Sequence, residues 1–317
     1  MNGFLLIDKH EGITSAHAVN RVKRLLKVSK AGHSGTLDPL ATGLLVVCLG
    51  KATRLAQFLS ESNKSYDAQI MLGGTSTTYD RDGEITPIEN APVPSLEHVE
   101  ETVAKFVGTI DQRAPLYSAL KHKGKPLYSY ARKGIPVELK TRSVHIESLR
   151  IVSYSYPILN ISVRCSSGTY IRSLAQDIGE LLGCGGYIYG LRRTSIGGLD
   201  VANAILMADL ELVAMQHEAE TSGLHTDERF VRSFGSIERV LNLPIIYVSA
   251  ERENFVDRGV PIRGLDVVNM DIRIRPRDLV ALRNADNRLL AVGRALYGSD
   301  TLRGMADETV VEYVRVM

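Results

Sequence analysis

The run Gly32-His33-Ser34-Gly35-Thr36-Leu37-Asp38-Pro39-Leu40-Ala41-Thr42-Gly43 holds a single acidic group, Asp38, among residues that constrain the backbone on both sides. Gly35 and Gly43 can adopt positive φ, and Pro39 fixes its own φ while biasing Asp38 away from the right-handed helical region. A carboxylate held so firmly, after a basic helical stretch and just before the apolar run 44–49, suits positioned chemistry, in which a carboxylate serves as base or nucleophile. An Asp-Pro turn is also a common structural device. Spacing alone leaves both readings open.

The elements that must hold this loop follow from periodicity. Residues 4–7 read as a short buried strand, and a helix starts near Ser15 with Val19, Val22 and Leu26 facing inward. Its other face carries Arg21, Lys23, Arg24 and Lys27. Residues 44–49 form a compact apolar strand, followed by a helix with Leu55, Phe58 and Leu59 on its apolar side. Tyr66, Ala68, Ile70 and Leu72 alternate at period two, which predicts a strand opening at Tyr66. Ser95 caps a helix with the stripe Leu96, Val99, Val103 and Phe106. Leu159, Ile161, Val163 and Cys165 alternate until Gly168 breaks the strand. Ile171, Leu174, Ile178, Leu181 and Leu182 then give a helix that stops at Gly183. Strands and helices mix without regular βαβ spacing, so the expected class is α+β, a mixed and largely antiparallel sheet with flanking helices.

Composition shifts after Leu199. Residues 207–220 read as an acidic helix and 221–227 as a polar loop, and nothing in 221–236 matches a recognisable pattern. Beyond Pro244 the pattern changes to short strands, with a hairpin joining 279–283 to 289–292 through Asn284-Ala285-Asp286-Asn287. Val310, Val311, Tyr313, Val314 and Val316 suggest a closing strand. The expected organisation is a domain over residues 1–243, with an acidic helical connector at about 200–243, and a small β-rich domain over 244–317.

The bulk numbers narrow the class. A chain of 317 residues with 44% hydrophobic and 23% charged residues suits a globular protein of one or two domains. No apolar run approaches the roughly 18 residues of a membrane span, and the N-terminus lacks the pattern of a signal peptide. Cys48, Cys165 and Cys184 form no CxxC pair, which fits small buried hydrophobes in a reducing cytoplasm. With no paired histidines at metal spacing, no dinucleotide-binding glycine fingerprint and no P-loop, neither metal nor cofactor is expected. The net charge of +2 conceals segregation: residues 113–142 hold eight Lys or Arg against one acid, whereas 200–257 hold eleven acids against four Arg. Arg113, Lys121, Lys123, Lys125, Arg132 and Lys133, interleaved with Tyr117, Tyr128 and Tyr130, suit a surface that tracks a phosphate backbone. A solvated charged face is the plainer reading of the same run.

The Asp38 stretch resembles the active-site motif of the TruB-type pseudouridine synthases, which isomerise a uridine in the T loop of transfer RNA. The resemblance continues in order through Lys64-Ser65-Tyr66, Tyr117-Ser118-Ala119-Leu120-Lys121, Ser167-Gly168-Thr169-Tyr170-Ile171-Arg172-Ser173-Leu174 and Leu191-Arg192-Arg193. It spans about 4–199, with a weaker match from 243 onward that is similar to a PUA domain, an RNA-binding module. The resemblance implies uridine 55 of tRNA as substrate and Asp38 as the catalytic carboxylate, attacking C1′ or removing a ribose proton. It implies Tyr66 as the active-site tyrosine and Arg172 as the arginine paired with Asp38, where an opposite charge favours the ionised form of a carboxylate. It assigns His33 to opening the target base pair and Leu191 to lining the uracil pocket, and it matches Lys64 to the family's basic residue two before the tyrosine, a substrate-binding position. Arg192 and Arg193 add charge close to the pocket wall. Arg54 stands where lysine is common in the family, which preserves the charge.

Two other functions compete with this one. A tRNA-folding chaperone would use the same RNA surface without turnover. A glycoside or nucleoside hydrolase would need two carboxylates flanking the bond, and Asp8, Asp67 and Asp80 are the spare acids nearby, none with supporting context. No large apolar stripe points to an obligate protein partner, so a monomer is expected.

Overall fold

Phe4, Leu5, Leu6 and Ile7 are all buried, so both faces of strand β1 (Gly3–Lys9) are covered. The structure is a computed structural model that describes residues 1–118, 120–131, 133–137, 139, 141–219, 227–236, 240 and 243–317. Arg132 of the basic segment and 221–226 of the polar loop therefore lie outside the described residues. Beside β1 run β2 (Ala31–His33), β3 (Thr42–Leu49) and β4 (Lys64–Leu72), then the small hairpin β5 (Gly74–Ser76) and β6 (Ile85–Pro87). Strand β7 (Gly108–Arg113) and a second small hairpin, β8 (Lys121–His122) with β9 (Lys125–Pro126), precede the long β10 (Thr141–Ser155). After them come β11 (Ile158–Cys165), β12 (Gly186–Ile196), β13 (Leu199–Asp200) and β14 (Ile205–Leu206).

The main sheet has the order β14-β1-β3-β12-β4-β11-β10-β7. The pairings of β1 with β14 and of β3 with β12 are parallel. The other neighbours in this order are antiparallel, as the α+β reading expected. The strand predicted from Tyr66 opens two residues earlier, at Lys64. Strands β10 and β12 escape a periodicity search. In β12 the sequence GYIYGLRRTSI interrupts its buried positions with two arginines and two register shifts.

Helices α1 (Ser15–Leu25), α2 (Ala56–Ser60), α3 (Leu96–Ala104), α5 (Ile171–Leu181) and α6 (Met207–Ala219) flank the sheet, and the short α4 (Leu127–Ala131) follows the β8–β9 hairpin. Thr14 caps α1 by accepting the His17 N–H at 3.1 Å, and Ser95 caps α3 by accepting that of His98 at 3.2 Å. Val19 and Val22, Val99 and Val103, Leu174 and Ile178, and Leu210 and Val213 pack from four of these helices onto one face of the sheet. Leu96 is exposed, so the buried stripe of α3 begins one turn later than the apolar pattern does. Helix α6 answers the basic face of α1, since Glu211 pairs with Arg21. Among the described residues no helix is long and apolar enough to cross a membrane.

The C-terminal region forms a second sheet from strands Ile262–Arg263, Thr309–Val316, Leu289–Ala295, Leu279–Arg283, Ile245–Val248 and Val267–Met270, in that order. The expected hairpin is present, with Leu282 opposite Ala291, and Thr309–Val316 closes against it. Ile246, Val248, Val280 and Val311 belong to its own core. Ala281, Leu289 and Val292 instead join Phe4, Leu6, Leu44 and Val46 on the second face of the main sheet.

The parallel contact of β3 with β12 controls the entry to β3. Arg193 lies opposite Gly43, whose φ is +95°, and a Cβ at Gly43 would meet the Arg193 carbonyl oxygen at 2.3 Å. Gly43→Ala should therefore destabilise the protein by at least ~1–3 kcal/mol through strain and strand separation. Thermal unfolding of the variant should show a clearly lowered midpoint, and an unchanged one would contradict the close approach.

Candidate active site

The Asp38 loop is tied down along its length by groups from three other elements. The Ser15 hydroxyl at the start of α1 accepts from the Leu37 N–H at 2.8 Å and donates to the Leu37 carbonyl at 3.0 Å. Arg193 of β12 donates to the carbonyls of Gly35, Thr36 and Leu44 at 3.1, 3.3 and 2.8 Å. The Pro39 carbonyl accepts from Gly12 N–H at 2.9 Å and from Lys9 Nζ at 3.2 Å. Leu37, Leu40 and Ala41 are buried and anchor the same loop in the core. Gly35 and Gly43 do take positive φ, at +134° and +95°.

Arg172 faces this loop from the first turn of α5. Gln112 fixes that turn by accepting from Tyr170 N–H at 2.7 Å and donating to the Tyr170 carbonyl at 3.0 Å. The side chain is 6% exposed, and its guanidinium has five oxygens within 3.3 Å of its nitrogens. Nε lies 2.9 Å from Asp38 Oδ2, and Nη2 donates to Asp38 Oδ1 at 3.3 Å and to the Tyr117 carbonyl at 2.8 Å. Nη1 donates to the Thr78 carbonyl at 2.9 Å and lies 3.3 Å from Asp80 Oδ2. Asp80 is thus a second acid on the same arginine, which the sequence left without context. Burial raises its carboxyl pKa, while the Thr78 hydroxyl, Arg172 and the Asp82 N–H oppose that shift. A buried charge needs such partners, because removing one member of a buried pair costs about 3–5 kcal/mol.

Asp38 opens into a cavity of about 260 Å³ lined also by Lys64, Tyr66, Ser118, Arg172 and Leu191. Among the described residues lining it, Asp38 is the one carboxylate. Tyr66 is buried, which pushes its hydroxyl pKa up despite the opposing influence of Arg193. Lys64 Nζ donates to the carbonyls of Ser60 and Ser62 at 2.7 and 2.8 Å, and burial together with Arg193 lowers its pKa to about 8. His33 lies in β2 outside the cavity lining, its Nδ1 accepting from Gly35 N–H at 3.3 Å; burial, and then Arg193, lower its pKa.

Arg192, expected at the pocket wall, faces the opposite side of β12 and pairs with Asp8 at 2.7 and 3.0 Å. The alternation of the strand gives the cavity to its neighbours Leu191 and Arg193. Lys121, Lys123 and Lys125 sit on the β8–β9 hairpin, where Lys123 and Lys125 are exposed and lie outside the cavity lining. Arg142 lines the cavity, donates to the Gly168 carbonyl and lies over the Tyr170 ring at 5.3 Å, so the basic segment reaches the cavity rim. Sequence reasoning missed the buried Lys9. Its Nζ also donates to the His10 and Ile13 carbonyls, a role no local pattern signals. Among the described residues no cluster of three or more His, Cys, Asp or Glu side chains could hold a metal.

Fold and site together define a pseudouridine synthase architecture, and three family models match in sequence. Residues 23–171 match the TruB family pseudouridylate synthase N-terminal domain, 172–241 the tRNA pseudouridylate synthase B C-terminal domain, and 246–317 the PUA domain. The tRNA pseudouridine synthase B of Marinomonas sp. (strain MWYL1) is 44% identical over 239 residues, covering 75% of this chain and 78% of that one. That of Aliivibrio fischeri (strain MJ11) is 36% identical over 310 residues, covering 91% and 97%. A chain in a crystal structure of a Cbf5–Nop10–Gar1 complex superposes with a TM-score of 0.78 at 28% identity, covering 99% of this chain and 84% of that one. The chain belongs to the TruB family of pseudouridine synthases.

The depressed pKa of Lys64 has a measurable consequence. Its unfolded value is near 10.5 and its folded value about 8, so the unfolded state holds more protons between these limits. Stability then rises with pH through that window. Denaturation of wild type and Lys64→Met from pH 7.5 to 10.5, on a roughly half-unit grid, should show this rise weakened in the variant. Parallel curves would contradict the assignment.

Proposed function

We propose that this pseudouridine synthase isomerises uridine 55 in the T loop of tRNA, with Asp38 acting at C1′ of the target nucleotide. The observation that carries this reading is Asp38, the one carboxylate among the described residues lining the cavity, held by the buried Arg172. The reaction breaks the N1–C1′ bond, turns the uracil and joins C5 to C1′, with no redox change and no net hydrolysis. It needs one carboxylate at C1′ and an enclosure that keeps the freed base. A hydrolase that relies on two acids flanking the bond would need a second carboxylate in the cavity. Asp80 instead sits on Arg172 outside the cavity lining.

The other roles follow from position. Tyr66 is protonated at neutral pH like any tyrosine, and burial pushes its pKa further up, so it offers a ring face and a hydroxyl donor rather than a base. Leu191 supplies an apolar wall, and Lys64 a charge next to it. His33, held neutral by burial and Arg193, is suited to fill the space left by a flipped base without adding charge. The exposed Lys123 and Lys125, with Lys121 on the same hairpin, and Arg142 at the rim form a basic approach for the RNA backbone. Arg192 pairs with Asp8 away from the cavity and is not assigned to this approach. The relatives named tRNA pseudouridine synthase B support tRNA as the substrate.

Release of tritium from uracil C5 in labelled tRNA transcripts tests both reaction and target. Wild type should release it, Asp38→Asn should not, and replacing the T-loop uridine should abolish release. Tight tRNA binding without release by a folded wild-type protein would favour a chaperone. Arg172→Lys, which keeps the charge but loses the planar fork, should lower turnover by about 100-fold. Its tRNA affinity should stay within about threefold of wild type; equal loss of both would make Arg172 a phosphate anchor instead. Replacing Lys121, Lys123 and Lys125 with Glu should flatten the salt dependence of tRNA affinity, by about 0.7 in log–log slope for each phosphate no longer neutralised.

A further inference from the structure

Ser118 lines the cavity and its Oγ is shielded from solvent, yet among the described residues this hydroxyl has no hydrogen-bond partner. The residue is 5% exposed. Buried hydroxyls are ordinarily paired, so an unpaired one facing a cavity invites a ligand group. Its position indicates which group. The Tyr117 carbonyl and Asp38 Oδ1 both accept from Nη2 of Arg172, at 2.8 and 3.3 Å. The Tyr117-Ser118 peptide therefore stands beside the carboxylate end of the cavity.

This inference rests on the proposed function, in which Asp38 acts at C1′. The polar group carried by the adjoining carbon of the ribose is the 2′-hydroxyl. The uracil turns during the reaction, so a fixed hydroxyl gripping a base oxygen would oppose that rotation. The ribose stays in place, and holding its 2′-oxygen keeps C1′ against Asp38 while the base moves. Both hydroxyls donate and accept, so they can pair in either sense. We infer that Ser118 binds the 2′-hydroxyl of the target nucleotide and makes the site selective for ribose over deoxyribose.

A thermodynamic cycle tests this. The ligands are two T-arm stem-loops, one with uridine and one with 2′-deoxyuridine at the target position. The proteins are Asp38→Asn, which prevents turnover, and the same protein with Ser118→Ala added. Differences in sugar pucker and flipping cost are common to both proteins and cancel in the comparison. With Ser118 present, the ribo ligand should bind about tenfold tighter than the deoxy ligand; in the protein carrying Ser118→Ala the gap should close to about twofold or less. A gap of the same size in both proteins overturns the inference. Ser118→Thr, which keeps the hydroxyl, should retain the gap in a protein whose unfolding midpoint matches the parent, and disappearance of the gap there also counts against it. Wild-type protein is assayed alongside for tritium release. Failure to convert the uridine stem-loop overturns the functional reading itself, whereas conversion with an unchanged gap overturns only the role of Ser118.

Discussion

The site depends on a guanidinium that has been taken out of water. Isolated charges do not survive in such a place, since desolvating one costs several kcal/mol even after relaxation. Arg172 is stable there because five oxygens from separate stretches of chain converge on it: two from Asp38, one from Asp80, and the carbonyls of Thr78 and Tyr117. Each stretch must fold correctly for the charge to be satisfied. Tyr79, between Thr78 and Asp80, adopts φ +64°, an uncommon conformation outside glycine that brings the neighbouring carbonyl and carboxylate onto the same arginine. Fixing the ion pair also fixes the direction in which Asp38 points into the cavity.

A second arginine works from beneath the loop. Arg193 is almost fully buried and donates to three backbone carbonyls, so it aligns peptide groups rather than balancing a carboxylate. It can reach them because β12 runs parallel to the start of β3 and passes within contact of Gly43. The other face of β3 is covered by the C-terminal sheet through Ala281, Leu289 and Val292. The Asp38 loop therefore leads into a strand packed on both sides, and the C-terminal domain contributes to that packing directly.

Charge is arranged by the same logic of local pairing. The basic face of α1 meets the acidic helix α6 through Arg21 and Glu211, which reduces its availability to a polyanion. The β8–β9 hairpin keeps Lys123 and Lys125 exposed, and Arg142 extends positive charge to the cavity rim. Net charge near zero is thus compatible with a strongly basic approach to one site.

Much of the architecture is legible from local pattern. The helix start near Ser15, the cap at Ser95, the alternation from Tyr66 to Leu72, the break at Gly168 and the hairpin of Leu279–Arg283 with Leu289–Ala295 each follow from propensities that act over a few residues. The Asp38 loop is legible for the same reason, because glycine and proline restrict backbone angles wherever the chain later goes. Strand β12 is not, since its arginines mask the burial that its neighbours impose. The contacts of Lys9 and Asp80 have no local signal either. The motifs determined which residues could perform chemistry; the fold decided that Arg193 and not Arg192 reaches the cavity, that Asp80 joins Asp38 on one guanidinium, and that Ser118 is left unpaired among the described residues. Those outcomes depend on strand register and on hydrogen bonds between residues 55 to 158 positions apart. A hydrogen bond or an ion pair exists only once distant segments have been brought within about 3 Å.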